Sequence, residues 1–217
     1  MSNSTAPAAP RRTIRLHSHP LSGHVHRVEV FLSLLGLPFE KVAVDLLRGE
    51  HKTPAFLALN PFGQLPVIED GEVVLADSNA ILVYLALGAD PSGQWLPRDA
   101  VGAARVQRWL SVAAGPLAYG PAAARVAVLF GRLQEQAPRD AAARLFALMD
   151  AQLATQPFLA AAHPTIADVA MYSYTAHAPE GGVSLEPYGH LRAWLARIEA
   201  LPGFVGLVRS AVPEATA

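Results

Sequence analysis

The 217-residue chain is long enough for one large domain or two small ones, and with 52% hydrophobic against 16% charged residues it has ample material for a core. A formal net charge of -1, with no basic run beyond Arg11, Arg12 and Arg15, argues against a nucleic-acid binder. No stretch approaches about 18 consecutive apolar residues, so no membrane span is expected, and the absence of cysteine excludes disulfides, thiolate metal sites and a cysteine nucleophile.

Residues 1–12 are small, polar and proline-containing and lack an apolar signal-peptide core, which predicts a disordered tail on a cytoplasmic protein. Thr13 to His17 alternates as a short strand. Leu21-Ser22-Gly23 interrupts it, and Val25, Val28, Phe31, Leu32 and Leu35 then recur at helical spacing up to Gly36 and Pro38. Phe39 to Asp45 alternates as a second strand, and Thr53-Pro54 opens a short helix. After the turn cluster Asn60-Pro61-Phe62-Gly63, Leu65 to Glu69 and Val73 to Leu75 form two strands about an Asp70-Gly71 hairpin signal. Asp77 or Ser78 is placed to cap the next helix, which carries Ile81, Tyr84 and Leu85 on one face.

The order β-α-β-α-β-β-α over residues 13–88 predicts a compact α/β domain with a mixed four-stranded sheet. Residues 89–97 (ADPSGQWLP) read as a linker. In 98–217 strand signals nearly vanish. Ala/Leu/Arg stretches punctuated by prolines predict an all-helical domain of five or six helices, the last with a Leu191, Trp194, Leu195, Ile198, Leu201 stripe.

Three segments in order, HPLSGHVHRVEVFLSLLGLPFE (19–40), GEHKTPAFLALNPFGQLPVIEDG (49–71) and ADSNAILVYL (76–85), resemble the glutathione transferase superfamily, nearer its serine-dependent bacterial and theta-like branches than its tyrosine-dependent ones. HPTIADVAMYSY (163–174) resembles the superfamily's capping-box helix. The resemblance implies a thioredoxin-like domain that binds glutathione, followed by a helical bundle, assembled as a homodimer. It also implies that the glutathione thiolate is activated for attack on a small electrophilic apolar co-substrate. A chain without cysteine cannot be a dithiol oxidoreductase, so the reactive sulfur arrives with the ligand. Glutathione-dependent reduction of disulfides or peroxides, and a catalytically silent binding module, stand as alternatives.

By the resemblance Ser22 is the activating residue, between the first strand and first helix, where a hydroxyl donor and a helix N-terminus act on one anion. An ordinary helix cap is the competing reading of Ser22, Ser18 is a rival activator, and His24 is a further candidate near the sulfur. Leu65-Pro66 resembles the pair at which this fold carries a cis peptide and binds the cysteinyl backbone. Asp77-Ser78 resembles the acidic-Ser pair for the γ-glutamyl end, with helix capping the alternative for Asp77. His51, Lys52 and Gln64 fall at the glycyl end, a solvated loop lysine being the other reading of Lys52. His17/His19 and His24/His26 invite a metal reading, but helical i, i+2 positions diverge and two unsupported strand histidines make a poor site, so no metal is expected. Thr165-Ile166-Ala167-Asp168 is a capping box with a folding role. Trp109, Tyr119, Phe130 and Tyr172 are candidates for an apolar wall beside the thiolate.

Overall fold

The structure is a computed structural model that describes residues 12–131 and 135–212; the tail expected over 1–12 lies, except for Arg12, outside the described residues. Strand β1 (Ile14–Ser18) pairs in parallel with β2 (Phe39–Ala43), antiparallel with β3 (Val67–Asp70), and β3 pairs antiparallel with β4 (Val73–Ala76). The sheet order β2-β1-β3-β4 makes the mixed sheet that the pattern predicts. The β1–β2 crossover is helix α1 (Gly23–Leu34), and the short α2 (Pro54–Leu59) begins at Pro54 with Thr53 as its cap. Helix α3 (Ser78–Ala89) follows β4 directly.

The stretch 89–97 is a folded turn that seats Trp95. Asp90 is buried and accepts hydrogen bonds from the main-chain N–H groups of Ser92 and Trp95, and Trp95 packs edge-on to Phe31 of α1 at 5.2 Å. Five α-helices follow among the described residues: α4 (Ala100–Ala114), α5 (Ala123–Leu129), α6 (Gln136–Leu153), α7 (Ile166–Ala176) and α8 (Gly189–Glu199). Between α4 and α5 the helix widens into a π turn, Ala118–Ala122, around Pro121, which has no N–H to donate. The run Ala100–Leu129 has the length and apolarity of a membrane span. Its α4 portion is nevertheless amphipathic, turning Val106, Trp109, Leu110 and Ala113 into the core and Arg105 and Arg108 outward.

One apolar cluster joins both halves of the chain. It runs from Leu16 and Ile68 of the sheet through Phe31, Leu32, Ile81 and Leu85 to Val106, Phe146, Met171 and Trp194. The other face of the sheet has a small cluster of Val44, Phe56 and Val67 under α2. Helix α7 packs on α1, α3 and α4 and thus touches both halves. It starts at the expected capping box. The Asp168 carboxylate accepts from the Thr165 N–H at 2.9 Å, and also from the Leu159 N–H and Trp194 Nε1. In α8, Leu191, Trp194, Leu195 and Ile198 are buried as one stripe, while Leu201 packs partly, beyond the helix end.

Candidate active site

A cleft of about 680 Å³ opens where the N-terminus of α1, the loop after α2, the end of β4 and the N-terminus of α3 meet. Ser22, His24, His51, Gln64, Leu65, Pro66, Asp77 and Ser78 all line it. Lys52 does not, because its Nζ donates to the carbonyls of Gly63 and Phe62 at 3.2 and 3.4 Å. Ser18 closes β1, is buried and lies outside the lining.

Ser22 is the N-cap of α1, its Oγ accepting the Val25 N–H at 3.3 Å. Capping uses only a lone pair, so the one hydroxyl proton remains free to donate into the cleft. The cap and the donor are therefore compatible roles. Gly23 follows, packed against the Tyr174 ring of α7; a Cβ there would fall 2.7 Å from Tyr174 Cζ. Arg125 of α5 approaches from the same side, its Nη1 donating to the Leu21 carbonyl at 2.8 Å while its Nε is bonded to the buried Glu180.

His24 stands edge-on to Tyr174 at 4.9 Å, with Nδ1 3.4 Å from Ser78 Oγ. Burial, reinforced by the Arg27 charge, pulls its pKa down to about 3, so the ring is neutral at neutral pH. His26 faces the other side of α1, between Ser173 Oγ at 2.9 Å and the Val205 carbonyl at 2.8 Å. His17 is bonded to Glu69, and His19 accepts from the Leu21 N–H, so neither pair of histidines converges. No group of three or more His, Asp or Glu suited to a metal ion occurs among the described residues.

The Leu65–Pro66 peptide is cis. The loop before it is stapled by the buried Asn60, whose Nδ2 donates to the Gln64 carbonyl and whose Oδ1 accepts from the Phe62 N–H. Gly63 has φ +58° and sits where a Cβ would meet the His51 carbonyl at 2.8 Å, so the turn requires glycine. His51 Nδ1 is buried in this wall without a hydrogen-bond partner.

Asp77 is the only non-glycine residue with positive φ (70°) among the described residues. Its Oδ1 caps α3 by accepting from the Asn79 and Ala80 N–H groups, both at 2.9 Å, which leaves Oδ2 for a ligand. The capping reading of Asp77 is thus realised, and backbone held in so sparsely populated a region marks a position that its surroundings determine. Ser78 is the first residue of α3, buried, with Oγ accepting from Arg27 Nη1 at 2.8 Å.

None of Trp109, Tyr119, Phe130 and Tyr172 lines the cleft. Trp109 is a core residue bonded to the Leu159 carbonyl, Tyr172 is buried with its hydroxyl on Glu199, and Tyr119 and Phe130 face solvent. Phe62 lines the cleft, and Tyr174 packs against Gly23 and His24 at the start of α1. Two residues along a helix is a rotation of about 200°, so Tyr172 turns toward Trp194 and Phe204 while Tyr174 meets α1. Sequence reasoning also missed Arg27, Asn60 and Arg125. The signal for Arg27 was its place between Val25 and Val28 on a helix covered by α3 and α7, where an arginine has no route to solvent.

Residues 12–87 match the sequence model of the glutathione S-transferase N-terminal domain, and residues 124–202 that of the C-terminal domain. The chain is 36% identical to glutathione S-transferase 3 of Zea mays, over 92% of this chain and 95% of that one. A glutathione S-transferase crystal structure from Pseudomonas fluorescens superposes with a TM-score of 0.85 at 34% identity, covering 91% of this chain and 100% of that one. A Drosophila mojavensis homologue crystallised with bound glutathione superposes at 0.80 with 28% identity, covering 88% and 89%. Matched in both halves of the fold and along nearly the whole length of its relatives, the chain belongs to the glutathione S-transferase family.

Proposed function

We propose that the protein is a glutathione transferase of the serine type, in which Ser22 stabilises the glutathione thiolate for attack on an electrophilic apolar co-substrate, a detoxifying conjugation. The observation that carries this is Ser22, which lines the cleft and caps α1 by accepting the Val25 N–H, a bond that uses none of its donor capacity. Lowering a thiol pKa by about two units requires roughly 2.7 kcal/mol of preferential stabilisation of the anion. A hydrogen bond to a charged acceptor contributes about 1.5–3 kcal/mol, and a helix N-terminus up to ~1 kcal/mol at an exposed site. Together they suffice without a protonated histidine.

In this reading the main chain of Leu65, beside Pro66, pairs with the cysteinyl backbone. Asp77 Oδ2 and the Ser78 hydroxyl take the γ-glutamyl ammonium and carboxylate. His51 Nδ1 and Gln64 serve the glycyl end, with Lys52 adding charge there while it holds the Phe62–Gly63 turn. Reduced glutathione is the form that a reducing, cytoplasmic compartment supplies. A homodimer belongs to the same reading. Phe62 beside the cleft is 78% exposed, and the groove between α4 and α6 presents Val112, Pro116, Leu145 and Leu148 on the helical domain.

Replacing Ser22 with Ala tests the assignment. Turnover with a halonitroarene is expected to fall about 10²–10³-fold, the range for losing one donor to a developing anion. Glutathione affinity should change little, and the thiolate absorbance of the binary complex should require higher pH. Unchanged turnover would move the activating role to His24. Parallel assays with an organic peroxide and a mixed disulfide separate conjugation from reduction.

A further inference from the structure

Arg125 brings a guanidinium from α5 of the helical half into the interior, against the loop that bears Ser22. It is 1% exposed. Its Nε donates to Glu180 at 2.6 Å and its Nη1 to the Leu21 carbonyl at 2.8 Å, while its buried Nη2 has no partner. Glu180 approaches from the short 3-10 turn Ala178–Gly181. Gly181 permits that approach, since a Cβ there would meet the Arg125 main-chain nitrogen at 2.6 Å. Glu180 is itself held on both oxygens, Oε1 accepting from His177 Nδ1 and Oε2 also from Ser210 Oγ near the C-terminus. Burial pushes the Glu180 carboxyl up, but the bonds from Ser210, His177 and Arg125 outweigh it and keep the group ionised.

A buried ion pair contributes little net stability, because apolar side chains of the same volume often serve as well or better. This one also leaves a guanidinium donor unused. What it fixes is the peptide between Leu21 and Ser22. The carbonyl of that peptide accepts from Arg125, and its N–H, on Ser22, donates to the His19 carbonyl at 3.0 Å. A planar peptide gripped on both edges cannot rotate, and its orientation sets where Ser22 Cα and Oγ stand. That precision matters, since moving a catalytic group by about 1 Å can cost about 10²-fold in rate.

We propose that Arg125, locked by Glu180, is a positioning residue for the Ser22 hydroxyl, aiming it at the glutathione sulfur. The inference rests on the reading of Ser22 given above. Arg125→Met combined with Glu180→Gln tests it, because the two charges leave together and neither is stranded in the interior. The readout is the pH midpoint of kcat/KM for a halonitroarene at saturating glutathione, which reports the thiol of the bound tripeptide. The other titratable groups that line the cleft, His24, His51 and Asp77, stay in place. The double variant should raise the midpoint by about one unit and lower the rate below it about tenfold, with little change in glutathione affinity. In a Ser22→Ala background the same replacement should add little. Arg125→Lys keeps a cation opposite Glu180 but lacks the fork that also reaches the carbonyl, and should shift the midpoint in the same direction. A purely structural ion pair would lower the urea midpoint and leave the pH midpoint unmoved. That result, or an equal shift in the Ser22→Ala background, overturns the proposal. Should the double variant not fold, an unshifted midpoint in Arg125→Lys overturns it. Ser22→Ala keeping the wild-type midpoint would refute the serine reading, and wild type that binds no glutathione would refute the glutathione reading; the proposal falls with either.

Discussion

His24 and His26 are two residues apart on one helix, and burial makes both neutral: their pKa values fall to about 3 and about 4. In the unfolded chain each takes a proton near pH 6.5. Between that pH and the folded values the unfolded state binds more protons, so stability is full above about pH 6.5 and is lost on acidification. At pH 5 each histidine should cost about 2 kcal/mol relative to neutral pH, at 1.36 kcal/mol per unit. Urea midpoints at pH 7.5, 6 and 5 should therefore fall steeply, and His26→Gln should flatten the slope. A midpoint constant down to pH 5 would contradict this. Side chains at chain boundaries were the legible ones: Ser22, Asp77 and Ser78 stand where a strand or turn gives way to a helix, and such positions have few competing uses. Arg27, Asn60 and Tyr174 act through partners 51, 4 and about 150 residues away, which local periodicity does not reveal.

Helix α7 shows how one element can be read almost completely yet be worth more than its reading. The Thr165–Asp168 box was evident from four letters, but Asp168 also receives the Leu159 N–H and Trp194 Nε1, which lie 9 and 26 residues away. Burial pushes its carboxyl up, and these hydrogen bonds draw it partly back. Asp168→Ala should leave four buried donors, the Thr165 hydroxyl among them, without their acceptor and destabilise the fold by about 3–5 kcal/mol in denaturant titration; a loss under about 1 kcal/mol would mean that the donors find other partners. Strand ends shifted by up to two residues from the alternation, because pairing rather than side-chain pattern ends a strand: β2 stops at Ala43, where β1 has no further residue to pair. The stretch 89–97 read as a linker from its Pro and Gly content, while the carboxylate of Asp90 folds it.

For the whole molecule, the shift from alternating to helical pattern near residue 98 revealed two architectures, though not that they share one core. The proposed homodimer is the prediction at this scale. Sedimentation equilibrium should give twice the chain mass. Phe62→Ser and Leu148→Arg, at residues 78% and 70% exposed in the single chain, should each shift the population toward monomer. Retention of the dimer by both variants would place the interface elsewhere. The hold that Arg125 and Tyr174 have on residues 21 and 23 bears on how such a protein can be recombined. The loop bearing Ser22 is positioned from the far half of the chain, so the N-terminal unit is not a portable module. A chimaera that grafts it onto a foreign helical domain must import an arginine and a tyrosine at these two places, or its serine will stand on an unsupported loop.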